Sequence, residues 1–249
     1  MIADHCWREY NIHGQADEDN EEEMLDHHHL FENDPADTLQ DFTFEFGDSS
    51  FRVPTIVLAG HDEYHKSTGM AVWKGSEVLA DYLVTHQNDI IRHKRVVELG
   101  AGLGLCGMVA YHLGASSVCW TDGDVQVLEQ LRHNVARNTK STTKNNAGVP
   151  QTACPQLIWG NHHQVQAFLK QYGPQDVVLA TDCLYMAPSV EPFFQTVHKL
   201  LKPNGTLLYC NCCASQAPKH LIETMASKYQ LESDASSFDD DRVYAFRRK

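Results

Sequence analysis

Apolar and polar positions change rhythm along this chain. Phe42, Phe44 and Phe46 alternate with polar neighbours, Gly47-Asp48-Ser49-Ser50 has turn composition, and Phe51, Val53 and Thr55-Ile56-Val57-Leu58 resume an extended pattern. This predicts a β-hairpin over 41–58. A period near 3.6 follows over residues 76–86, with Ser76 as N-cap, Glu77 in the first turn and Val78, Leu79, Tyr82 and Leu83 on one stripe. From Arg95 the two rhythms alternate. Strands are predicted at Val96–Leu99, Ser117–Trp120, Gln156–Trp159, Asp176–Thr181, Thr206–Cys210 and Arg242–Phe246. Helices are predicted at Leu105–Leu113, Val125–Arg137, Pro192–Leu201 and His220–Lys228, the third stopped by Lys202-Pro203-Asn204-Gly205. Alternation at these spacings means an α/β fold, a mostly parallel sheet with helices on both faces.

Residues 1–40 do not fit this pattern. Of the 249 residues, the first 50 hold 15 acids and one base, a balance of −14, while the rest balances at +1. So acidic and aliphatic-poor a segment does not bury enough surface to offset its ordering entropy. We read 1–40 as a disordered, solvated tail and 41–249 as the folded domain. The near-neutral body lacks the basic footprint of a nucleic-acid binder. No apolar run reaches a membrane-spanning length, and the N-terminus lacks a signal-peptide pattern. The expectation is a cytoplasmic or nuclear monomer. The spacing of the eight cysteines gives no disulfide framework, and Cys210, Cys212 and Cys213 read as reduced thiols at a strand end. His27-His28-His29 reads as a solvated run, so no metal is expected.

The chemistry concentrates in Glu98-Leu99-Gly100-Ala101-Gly102-Leu103-Gly104, which follows a strand and opens a helix. Glycines there permit positive φ and let a ligand touch the backbone. Two details choose between cofactors. Glu98, before the first glycine, would repel a dinucleotide pyrophosphate but suits a cationic sulfonium amino acid. The dinucleotide pattern also wants glycine at 105, which is Leu105. Asp122, ending the second strand of the alternating region, can accept from both ribose hydroxyls. These features favour S-adenosylmethionine over NAD. Each acid has a plainer role open to it: Glu98 as a cap on neighbouring backbone, Asp122 as part of the next helix's N-cap.

Further stretches make the resemblance specific. Thr68-Gly69-Met70-Ala71-Val72-Trp73-Lys74-Gly75-Ser76, the glycine loop, Thr121-Asp122, Leu157-Ile158-Trp159-Gly160 and Ala180-Thr181-Asp182-Cys183-Leu184-Tyr185 occur in this order. Over roughly 42–249 the chain resembles the seven-β-strand methyltransferases of family 16, largely protein-lysine methyltransferases. The resemblance implies a Rossmann-like, seven-stranded sheet and S-adenosylmethionine as cofactor. It implies that Trp73 and Trp159 line the cofactor pocket, Trp159 beside the adenine. Gly100, Ala101, Gly102 and Gly104 would form the loop along the methionine moiety, with Asp122 on the ribose and Thr181 at the fourth strand end. Asp182 and Tyr185 match the D-x-x-Y motif bordering the acceptor site. Lys74 and Gly75 depart from the family, where proline often follows the tryptophan.

The expected reaction is methyl transfer to a lysine of a protein substrate, with Asp182 orienting the amine and Tyr185 supplying an aromatic wall or hydroxyl. The alternatives are a histidine, small-molecule or nucleic-acid acceptor, or a non-catalytic binding module. Base methylation would call for an Asn/Asp-Pro-Pro-aromatic turn where Asp182-Cys183-Leu184-Tyr185 stands.

Overall fold

The structure is a computed structural model that describes residues 39–49, 51–61, 68–86, 90–139, 150–212, 217–233 and 242–249. The acidic segment 1–38, the histidine run, Cys213 and most of the polar loop 138–149 lie outside the described residues.

The chain enters through an antiparallel pair, β1 (Gln40–Phe44) and β2 (Ile56–Gly60), in register Phe44↔Ile56 with a further bridge Gly47↔Arg52. This is the expected hairpin. Its second strand is held from an unexpected side. The helix α3 (Val125–Asn138) projects Asn134 and Asn138, one turn apart, against β2. Asn134 Oδ1 accepts from Ala59 N–H at 2.9 Å and its Nδ2 donates to Ala59 C=O at 3.1 Å. Asn138 does the same with Val57, at 2.9 and 2.8 Å. Two amides thus pair the outer edge of β2 as a neighbouring strand would.

The main elements follow: α1 (Lys74–Thr85), β3 (Arg95–Leu99), α2 (Leu105–His112), β4 (Ser117–Thr121), α3, β5 (Gln151–Ala153), α4 (His162–Tyr172), β6 (Gln175–Thr181), α5 (Ala187–Leu200), β7 (Leu201–Cys210), α6 (Lys219–Lys228), β8 (Leu231–Ser233) and β9 (Val243–Arg248). Among the described residues the sheet has seven strands in the order β5-β4-β3-β6-β7-β9-β8. β5, β4, β3, β6 and β7 run parallel, and β9 is antiparallel to both neighbours.

The period of two explains the two layers. Val96, Val118, Trp120, Val177 and Leu179 face one cluster, built with Leu79 and Leu83 of α1, Met108 and Val109 of α2 and Leu131 of α3. Their strand neighbours Val97, Leu99, Cys119, Val178 and Ala180 face the other, with Phe168 of α4, Phe193, Phe194 and Val197 of α5 and Ile222 of α6. Burying strands on both faces leaves almost no polar position along them.

Six points differ from expectation. The strand expected at Gln156–Trp159 lies earlier, at Gln151–Ala153. Gln156 makes only an isolated bridge to Asp122, and Gly160 at φ +78° turns the chain after Trp159. α4 was not foreseen. Asn161 caps it by accepting from Gln164 N–H, and Val165 and Phe168 are its buried residues, too sparse a stripe to stand out among His and Gln. The short edge strand β8 also carried too little pattern to be read. α5 starts at Ala187 rather than Pro192, with Pro188 in the first turn where a missing N–H costs nothing. Lys202-Pro203-Asn204-Gly205 falls inside β7, in the irregular stretch between the pairs Gln175↔Leu201 and Val177↔Thr206. Finally, Ser76 is not the cap of α1. Trp73 holds that position with no side-chain cap bond, and Ser76 Oγ donates back to Trp73 C=O.

Candidate active site

Strand order reverses between β3 and β6: the chain runs outward through β4 and β5, then crosses back. Ligands of open α/β sheets bind at the carboxyl ends of the strands at such a point. A cavity of about 390 Å³ lies there, within the range of small-molecule sites. Its wall takes the 3₁₀ turn Thr68–Met70 and Trp73 from before α1, residues 100–105 from the glycine loop, Asp122 to Asp124 after β4, Leu157 to Trp159, and Thr181 to Cys183 with Tyr185 and Met186 after β6.

The loop is shaped by its glycines. Gly100 and Gly102 have φ of +64° and +52°, where an L side chain is strained. A Cβ on Gly102 would sit 3.0 Å from Gly69 O, so the loop and the 3₁₀ turn close on each other across the wall. Asp122 Oδ2 accepts from Gly102 N–H at 3.1 Å and Oδ1 from Asp124 N–H at 3.0 Å. Burial pushes its carboxyl up, opposed by the N–H groups of Asp124, Gly102 and Gly123. The N-cap of α3 is Asp124, whose Oδ1 accepts from Gln126 N–H. Asp122 is therefore free of that duty and faces the cavity.

Trp159 packs edge-on to Phe193, ring centroids 5.1 Å apart, and lies over Gly100, where a Cβ would stand 3.1 Å from its ring. Trp73 lines the opposite side, its indole N–H donating to Thr68 C=O at 2.7 Å. Thr181 ends β6 on the wall, and Tyr185 and Met186 stand half exposed at the rim with Ile158. The charged side chains lining the cavity among the described residues are Asp122, Asp124 and Asp182. An acidic, partly apolar chamber suits a cationic nucleoside, and the glycine cradle leaves room for it.

Glu98 requires a correction: it does not line the cavity. On β3 it shares parity with Val96 and so points into the α1–α3 layer, 2 % exposed, where Oε2 accepts from Gly107 N–H at 2.8 Å. Gly107 lies in the first turn of α2, whose own N-cap, Gly104, has no side chain to offer. Glu98 is that missing cap, the plainer of its two roles. Burial, the largest influence, pushes its carboxyl up to about 8 despite the helix N–H bonds. Asp182 also departs from expectation. It is 7 % exposed with φ +47°, and both its oxygens accept backbone bonds, Oδ2 from Gly75 N–H and Oδ1 from Cys212 N–H, each at 2.6 Å. Sequence reasoning missed Asp124, Ile158 and Met186 on the wall. A helix-start Asp and the residues flanking Trp159 and Tyr185 were the available signals.

Sheet order, glycine cradle and cavity define an S-adenosylmethionine-dependent methyltransferase with a Rossmann-like core. The chain belongs to the lysine methyltransferase family, whose model matches residues 53–228. Among curated relatives, the protein-lysine methyltransferase METTL21E of Mus musculus is 31% identical over 195 residues, covering 76% of each chain. The calmodulin-lysine N-methyltransferase of Arabidopsis thaliana is 33% identical over 138 residues, 55% of this chain and 42% of that one. The histone-arginine methyltransferase METTL23 of Rattus norvegicus is 28% identical over 194 residues, 77% and 78% of the two chains. The solved ribosomal protein L11 methylase of Lactobacillus delbrueckii subsp. bulgaricus shares the fold, with a TM-score of 0.51 and 17% identity over 74% of this chain and 84% of that one.

Proposed function

We propose that this enzyme methylates the side-chain amine of a lysine in a protein. The observation that carries the choice of acceptor is the family match over residues 53–228 to a lysine methyltransferase model, supported by the protein-lysine methyltransferase METTL21E of Mus musculus at 31% identity over 76% of each chain. An amine asks little of the site: an aromatic wall and a way to lose its proton.

The bound cofactor supplies a methyl group already activated by the sulfonium charge. Catalysis by the protein is then chiefly positioning and electrostatics. In this reading Asp122 accepts from the ribose, Trp159 packs beside the adenine, Trp73 closes the opposite wall, and Gly100 to Gly104 follow the methionine moiety. Thr181 touches the cofactor from the end of β6. A lysine amine has a reference pKa of about 10.4 and must be neutral to attack. The half-exposed Tyr185, Met186 and Ile158 form an apolar mouth that disfavours the charged amine as it enters.

A second reading, an arginine acceptor, draws support from the METTL23 relatives. Incubation with methyl-tritiated cofactor and cell-lysate proteins, followed by acid hydrolysis and amino-acid chromatography, separates the two. Label in methyl-lysine is expected. Label in methyl-arginine would replace the first reading with the second, and label confined to RNA or small metabolites would overturn both.

A further inference from the structure

The N-terminus of α1 is capped from outside its own sequence. Its N-cap, Trp73, makes no side-chain cap bond, so the first-turn N–H groups need other acceptors. Asp182, 107 residues on, supplies one through Oδ2 to Gly75 N–H. Its other oxygen takes Cys212 N–H beyond the end of β7, and its own N–H donates to Cys210 C=O at 2.9 Å. One carboxylate therefore fastens three pieces of chain.

From this geometry we infer that Asp182 is a positioning residue that sets the cofactor wall, rather than a group acting on the acceptor amine. The inference rests on the reading that the cavity holds the cofactor. What Asp182 holds is the start of α1, and both Trp73 and Ser76 on the cavity wall hang from that point. Trp73 in turn fixes the 3₁₀ turn through Thr68 C=O, and that turn abuts Gly102. A carboxylate at a helix N-terminus is also favoured by the helix dipole.

Gly75 is the other half of the device. A Cβ on it would collide with Asp182 Oδ2, so this approach exists only because residue 75 has no side chain. Gly75 has no positive φ, and nothing but this contact demands glycine there.

The test is calorimetric titration of S-adenosylhomocysteine into the wild-type chain, Gly75→Ala, Asp182→Ala and the double variant, with circular dichroism and thermal melting alongside. Alanine is the better helix former, so any loss in Gly75→Ala isolates the collision. Both single variants are expected to bind about tenfold more weakly or worse, as for loss of a hydrogen bond to a charged group. Ligand-induced change in tryptophan fluorescence should shrink with the affinity. The double variant should match Asp182→Ala, because removing the carboxylate makes room for the methyl group. Asp182→Asn, which keeps one carbonyl oxygen for one of the two donors, should fall between. Gly75→Ala at wild-type affinity would overturn the inference, as would a double variant weakened by both factors multiplied. If Gly75→Ala loses its fold, recovery in the double variant supports the clamp, and loss in the double variant with Asp182→Ala still folded refutes it. No heat with the wild-type chain would overturn the cofactor reading itself, a result distinct from any ranking of variants.

Discussion

Replacing Asn134 by leucine tests how the hairpin is tied to the catalytic body. The side chain is 1 % exposed and makes two bonds to Ala59, at 2.9 and 3.1 Å. Leucine matches its size and removes both, leaving the N–H and C=O of Ala59 without partners on that side. An orphaned buried polar group costs about 1–3 kcal/mol. Ala59 is only half-buried, so water recovers part of this, and the pair should cost about 2–4 kcal/mol. For a domain of this size each kcal/mol moves the midpoint by about 2–4 °C, so the melting temperature should fall by roughly 5–15 °C. The loss should reach the active site as well. Leu58, the neighbour of Ala59, lines the cavity, and Leu103 packs where a Cβ on Gly60 would lie. Affinity for S-adenosylhomocysteine should therefore drop with stability. Differential scanning calorimetry on Asn134→Leu and Asn138→Leu gives the answer, the second expected to be milder because Asn138 is less buried. A melting temperature for Asn134→Leu within 2 °C of wild type would show that the amide ladder is incidental and that apolar packing alone holds β2.

Three other outcomes follow from the site. Glu98 has a folded-state pKa raised to about 8, so the folded chain keeps a proton that the unfolded chain loses near 4.5. Its stabilising contribution is full below the unfolded value and is lost as pH rises through about 8, by up to roughly 5 kcal/mol. Glu98→Gln should flatten the stability profile between pH 5 and 8 in urea unfolding; parallel profiles for the two proteins would reject this. The same variant should still bind S-adenosylhomocysteine in calorimetry, since the Glu98 carboxyl caps α2 and does not line the cavity, and a hundredfold loss would return Glu98 to the cofactor. Asp122→Ala should reduce that affinity by about a hundredfold or more, through loss of both the ribose acceptor and the tether on Gly102; equilibrium dialysis at wild-type affinity would remove Asp122 from the site.

Much of this fold was written in local patterns. Short, nearly continuous apolar runs identified β3, β4, β6 and β7. The loop and the stretches around Trp73, Trp159 and Asp182 marked the walls that meet at the strand ends. Even the role of Glu98 was open to reading, because its parity with Val96 directs it into a helix layer. Elements with few apolar residues, such as α4 and β8, left too faint a trace. The partners of the polar groups could not be read locally at all. Asp182 meets Gly75 across 107 residues, and Asn134 meets Ala59 across 75. Apolar burial is non-directional and repeats with the period of the element, so sequence determines it position by position. A hydrogen bond needs its two groups within a few tenths of an ångström, and for residues this far apart only the packed sheet and helices decide where they meet.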